Sequence, residues 1–148
     1  MGLIATVSSL SYAWYSAAAN EQSKASSTAL ADKEKARLKT IRQKLQTFYI
    51  SGGEILNRPL PKDISEKDFN AYSAAADAWL NETNNWIGQN LGAGASARFL
   101  DTSAGVYLSY DRAANAAHNA IITALIRHRE NLSKMIEINA WDAGEAKK

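Results

Sequence analysis

Two histidines, His118 and His128, are the side chains best placed by type to move a proton or hold a metal near neutral pH. On one helix their ten-residue separation turns through about 80°, so they do not stack as ligands at i and i+4 do. His128 falls between Leu125 and Leu132 on an apolar stripe, which predicts a core-edge histidine with one backbone partner. The carboxylates offer no better chemistry. Asp77, Glu82, Asp101 and Asp111 form no pair with the spacing of a general acid and base, and Asp111 lies nineteen residues from Glu130. They read as surface or capping groups. Ser103-Ala-Gly105 is not the G-x-S-x-G of a nucleophile elbow, and Gly92-Ala-Gly94 lacks the third glycine of a dinucleotide fingerprint. Without cysteine there is neither a disulfide nor a thiolate metal site. No enzyme, no metal and no cofactor is expected.

The elements that carry these residues are read as helices. Of 148 residues, 46% are hydrophobic and 22% charged, only two are proline, and β-branched runs are nearly absent. An all-α fold follows: an N-terminal apolar helix and a three-helix antiparallel bundle. Residues 1–20 form the apolar helix. Residues 21–37 form a polar, basic stalk or linker. Residues 38–140 form the bundle, and 141–148 a frayed tail.

The first bundle helix, from about Ala29 to Asn57, carries Leu38, Ile41, Leu45, Phe48 and Ile55 at the three-four step of a coiled-coil seam, which could also pair between chains. It stops at Arg58-Pro59-Leu60-Pro61. Gly52 and Gly53 inside it permit a close crossing against Trp79 or Trp86, or a break. The second helix opens on Asp63 with Glu66 as a capping box, carries Phe69, Tyr72, Ala76, Trp79, Thr83 and Trp86, and ends at Gly92-Ala-Gly94. Residues 95–100 add a short helical turn. A last helix from about Tyr110 to Asn139 carries Ala114, Ala117, Ile121, Leu125, His128, Leu132 and Met135. Phe48, Trp79 and Trp86 are the expected core aromatics.

The opening stretch decides the function class. Nothing charged precedes Glu21, and residues 2–20 as a helix would span about 28 Å, close to a bilayer core. Leu3, Val7, Leu10 and Trp14 would meet lipid, while the small and hydroxyl-bearing residues Thr6, Ser9, Ala13 and Ser16 form a packing face. Five Ser or Thr among the first sixteen residues fit a soluble bundle helix almost as well. No Lys or Arg precedes the apolar part, which argues against a secretory signal, and Met1-Gly2 through Thr6 matches a short myristoylation pattern. Lys35, Arg37, Lys39, Arg42 and Lys44 would meet anionic headgroups or a partner on the cytoplasmic side. A net charge of +2 and the acids Asp63, Glu66, Asp68, Asp77 and Glu82 argue against nucleic acid.

The runs Leu45-Gln-Thr-Phe48, Gly53-Glu-Ile-Leu56, Ala78-Trp79-Leu80, Trp86 to Gly92 and Arg98-Phe99-Leu100 resemble a loose set of uncharacterised bacterial proteins. In that set a basic stalk follows membrane helices and leads to a small helical module. The resemblance covers roughly residues 33–138 and implies membrane tethering but no activity. The expected function is thus a non-enzymatic, membrane-tethered interaction or scaffold module. Its partners would be membrane lipid, a protein of unknown identity, or a second copy in a homo-oligomer. The alternative is a soluble cytoplasmic helical protein that binds a ligand or nucleic acid.

Overall fold

The structure, a computed structural model, describes residues 4–103 and 113–141; of these, the side chains of 4–13, 17 and 139–141 lie outside the description. All secondary structure among the described residues is helical. α1 runs Ile4–Leu56, α2 Glu66–Leu91, α3 Ala93–Leu100 and α4 Ala116–Trp141. The chain divides into two units, Met1–Lys39 and Thr40–Lys148, and the division falls within α1.

The first unit is helix alone. No glycine or proline stands between Leu3 and Ser51, and alanine, lysine, glutamate and glutamine are strong helix formers. The predicted change from apolar helix to stalk near residue 20 is therefore not a break: residues 21–37 are helical. Hydroxyls in the polar run bond back to their own helix, Ser26 to the Ser23 carbonyl and Ser27 and Thr28 to that of Lys24, each at 2.9 Å. Glu34 and Arg37 form a two-pronged pair at 2.8 and 2.9 Å. Every described side chain from Trp14 to Arg37 is exposed.

Among the described residues no helix is long and apolar enough to cross a membrane, which corrects the transmembrane reading of the opening stretch. The hydroxyls of Thr6, Ser8, Ser9, Ser11 and Ser16 dilute its apolar content. Leu3 lies outside the described residues, and Val7 and Leu10 are described only as helical backbone.

The second unit holds the core. Ile41, Leu45 and Phe48 of α1 are buried within their own chain, together with Tyr72, Trp79 and Ile87 of α2, Phe99 of α3, and Ile122, Leu125 and Leu132 of α4. Of the Leu38–Ile55 seam, Ile41, Leu45 and Phe48 are thus covered inside their own chain, while Leu38 and Ile55 are half-buried. α2 starts two residues later than its expected cap: the N-cap is Ser65, whose Oγ accepts from the Asp68 amide at 3.1 Å and donates to the Asp68 carboxylate at 2.7 Å. Asp63 lies in the preceding turn, two residues too early. α2 ends where the glycines predicted. Gly92, at φ 87, is the single positive-φ glycine among the described residues. Its amide donates to the Gly88 carbonyl, while its own carbonyl accepts from the amides of Ala95 and Ser96 and so starts α3.

The expected stripes hold with one-position shifts. In α2, Tyr72, Ala76, Trp79 and Thr83 are buried as expected, but Ile87 takes the buried place given to the half-buried Trp86. In α4, Ala117 is exposed and Ile121 half-buried, and His118, Asn119 and Ile122 face inward instead. Stripe residues at a helix end are placed by what faces them, and the Tyr72 ring meets His118 edge-on at 4.9 Å.

Candidate functional site

Three places in the second unit bring chemistry-bearing groups together. The first is the Gly52–Gly53 step. The helix does not break there; α1 continues to Leu56. A Cβ on Gly52 would stand 2.5 Å from Cζ2 of Trp79, and one on Gly53 would stand 3.0 Å from Nη2 of Arg129. Just upstream, two successive carbonyls of α1 are gripped from outside. The Trp79 indole N–H donates to the Phe48 carbonyl at 3.0 Å, and Nε of Arg129 donates to that of Tyr49 at 3.0 Å. The Arg129 guanidinium also lies 4.2 Å over the Tyr49 ring. The glycines let an indole and a guanidinium reach helix backbone that a side chain would screen. This is a structural lock, and it holds no group free for catalysis.

The second place is the pair of histidines. His128 is buried, with Nδ1 2.9 Å from the Phe99 carbonyl and its ring tilted against Phe99. A carbonyl can only accept, so Nδ1 carries the proton in the neutral ring. His118 has the opposite tautomer: its Nδ1 accepts from the Ala114 amide at 3.0 Å. The expectation for His128, a core-edge ring with a backbone partner, matches its position. His118 is buried as well, which the sequence did not signal. Asp77 and His128 border one small hollow of about 70 Å³, too small for a substrate. Among the described residues no three His, Asp or Glu side chains gather as a metal site. Asp111 lies outside the described residues.

The third is a hollow of about 320 Å³ among the end of α2, α3 and the last turns of α4. Its floor is Leu91, Ala95 and Met135 with Ile138 at the lip, and its edge is Arg98, Asp101, Asn131 and Lys134. The edge is fixed by hydrogen bonds. The Asn131 amide donates to the carbonyls of Phe99 at 3.1 Å, an acceptor it shares with His128, and of Asp101 at 2.7 Å, and so helps satisfy the C-terminal end of α3. Asp101 Oδ1 accepts from the amide and hydroxyl of Ser103 at 2.9 and 2.5 Å. Those two bonds, with Lys134 nearby, hold its carboxyl below the ordinary aspartate range. On the other side of α3, Ser96 donates to the Asn84 side chain at 2.6 Å. Nothing in the spacing of Leu91, Arg98 and Lys134 announces this hollow, because it arises where three helices meet.

The remaining expected contact residues divide. Trp14 is 80% exposed. In the basic run Arg37 is engaged with Glu34. Lys44 sits 4.5 Å over the Phe48 ring and 4.0 Å from Glu82, so it serves the bundle. Lys35, Lys39 and Arg42 are exposed. Phe48 and Trp79 are buried core aromatics, and Trp86 packs edge-on against Phe48 at 5.8 Å while half-exposed. No family model, curated protein or solved structure matches the chain.

Proposed function

We propose that the protein is a non-enzymatic interaction module in which the helix of residues 4–39 makes the contacts and the second unit is the folded body. One observation carries this reading: from Trp14 to Arg37 every described side chain is exposed, including Trp14 at 80%, Tyr15 at 79% and Leu30 at 68%. A lone helix of this kind gains no stability from burial and is marginal in water unless a partner covers part of it. The aromatic pair suits a water–lipid boundary, and Lys33, Lys35 and Lys39 follow it along the helix. An anionic membrane surface, met in-plane rather than crossed, satisfies both features. The resemblance to membrane-tethered bacterial helical modules points the same way.

Within the body, the reading includes a bundle in which the second half of α1 runs antiparallel to both α2 and α4. Supporting it, Lys44 pairs with Glu82, whereas Gly52, further along α1, meets Trp79. Arg129 meets Tyr49 and Gly53, while the hollow beside Leu56 reaches back to His118. α2 and α4 then share one direction, from Tyr72 beside His118 to Leu80 beside His128.

The test is flotation of the full-length chain with vesicles, anionic against neutral. The expected result is flotation with anionic vesicles only, released by high salt, and lost in a chain carrying Trp14→Ser, Tyr15→Ser, Lys35→Gln and Lys39→Gln. Equal flotation of that variant, or none by the intact chain, overturns the lipid contact. A concentration-dependent mass in the second case would assign the exposed helix to a second copy.

A further inference from the structure

We propose that the hollow among α2, α3 and α4 binds a free single-chain aliphatic carboxylate, with its chain on Leu91, Ala95, Met135 and Ile138 and its carboxylate on Arg98. The inference does not rest on the membrane reading; it concerns the second unit alone.

The chemistry follows from which edge groups are already engaged. Asn131 could donate to a ligand, but its amide is held by the carbonyls of Phe99 and Asp101. Asp101 keeps its negative charge, but its Oδ1 is occupied by two donors from Ser103, and Lys134 offsets its field, so the edge stays net positive through Arg98. Arg98 forms no ion pair with any described residue. The edge therefore offers one unspent guanidinium, a fork that matches a carboxylate with two parallel hydrogen bonds. A cationic head would meet Arg98 and Lys134 against the single carboxylate of Asp101 and bind more weakly.

The floor is apolar and made of helix side chains that the core holds in place. Ala95 and Met135 are buried at its base, and Ile138 is 56% exposed at its lip. A volume of about 320 Å³ lies at the small end of ligand sites, which fits one alkyl chain and excludes a two-chain lipid or a helix from a partner. Ile138 is a large apolar residue with much of its surface in water, and an alkyl chain lying along it removes that surface.

The experiment is calorimetric titration of the intact protein with dodecanoate below its micelle-forming concentration, beside dodecanol and dodecylammonium. One dodecanoate per chain should bind saturably. Dodecanol should bind about tenfold more weakly through loss of the charge-assisted bonds, and dodecylammonium more weakly still. Arg98→Gln should cost dodecanoate about tenfold and leave dodecanol unchanged. Ile138→Asp, at a position exposed enough to leave the fold intact by circular dichroism, should weaken both ligands. Lys62→Gln, remote from the hollow, should change neither. Equal binding of the ammonium compound, unsaturable uptake, or wild-type affinity in both Arg98→Gln and Ile138→Asp chains overturns the proposal. So does loss of vesicle flotation in Arg98→Gln, because the guanidinium would then serve a lipid surface. The titration arms contain no vesicles, so their failure leaves the flotation result of the first unit untouched and the two readings fail separately.

Discussion

Leu30 and Leu45 stand fifteen residues apart in α1, and one is 68% exposed while the other is fully buried. Around Leu30, the helix holds itself. Its hydroxyls bond to carbonyls one turn back, and its best ion pair, Glu34 with Arg37, is local and solvated. Around Leu45, the helix is held from outside: Trp79 and Arg129 bond to its carbonyls, and Lys44 reaches Glu82. Helix propensity suffices to write the first region, but propensity contributes only tenths of a kcal/mol per residue, whereas burial of one large side chain contributes about 2 kcal/mol. The two regions therefore ought to respond differently to every perturbation.

Trp79→Ala is the severest test of the packed region. It removes a buried indole and its hydrogen bond to Phe48, and a loss of about 3–5 kcal/mol in denaturant unfolding is expected. A loss below about 1 kcal/mol would show that the α1–α2 contact is not what holds the body together. Gly52→Ala comes next. By propensity alone alanine should stabilise a helix by about 1 kcal/mol, but its Cβ would overlap the indole. Overpacking should win, giving a net loss of about 1–3 kcal/mol. The pair Gly52→Ala with Trp79→Phe should lose less than the sum of the two single changes, since the smaller ring makes room; strict additivity would sink the close-crossing account. At Gly53 the facing atoms belong to the flexible end of Arg129, so Gly53→Ala should cost less than Gly52→Ala.

Thr83 reverses the sign. Its side chain is fully buried and Oγ1 has no hydrogen-bond partner among the described residues. Replacing the hydroxyl with a methyl in Thr83→Val should stabilise the body by about 1 kcal/mol in the same unfolding experiment. Destabilisation would mean that the hydroxyl is satisfied in solution.

The smallest effect belongs to the exposed helix. Hydrogen bonding from Arg37, with its charge, lowers the Glu34 carboxyl below its ordinary range. A lowered folded-state pKa contributes stability that is present above the unfolded value and lost as pH falls through the folded one. Acid should therefore loosen helix around Glu34 by a barely measurable amount, visible in residue-resolved chemical shifts. In the same titration Glu34→Gln should abolish that acid response and leave the unfolding midpoint of the body unchanged. A shift of that midpoint would show that the two regions are not independent.

Several of these features were legible before any coordinates. The four core positions Leu45, Phe48, Trp79 and Leu125 follow from spacing, because three-four periodicity places them on one face whatever they meet. The end of α2 at Gly92 follows from the conformation glycine permits. The cap of α2 did not: Asp63 and Ser65 both precede an acidic residue by three, and only the turn after Pro61 decides which of them is the cap. Buried Asn119 and His118 break the apolar pattern and were invisible to it, whereas Thr83 lay on the expected stripe.

The continuity of α1 from Ile4 through the polar run and the glycine pair to Leu56 came only with the structure, whereas by itself the sequence determined what depends on neighbours along the chain: a helical fold, the proline stop and the glycine turn. These are local because helix hydrogen bonds close within four residues. Only the tertiary structure decided what Gly52 and Gly53 are for, which tautomer each histidine adopts, that Ile41, Leu45 and Phe48 of the coiled-coil seam pack inside their own chain, and that Arg98 and Lys134 border a common apolar hollow. Apart from the His118 tautomer, set by the Ala114 amide four residues away, those depend on atoms roughly 30 to 80 residues apart, as with Trp79 and Phe48 or Arg129 and Tyr49. Packing of whole helices brings such atoms together, and no window of the sequence contains both partners.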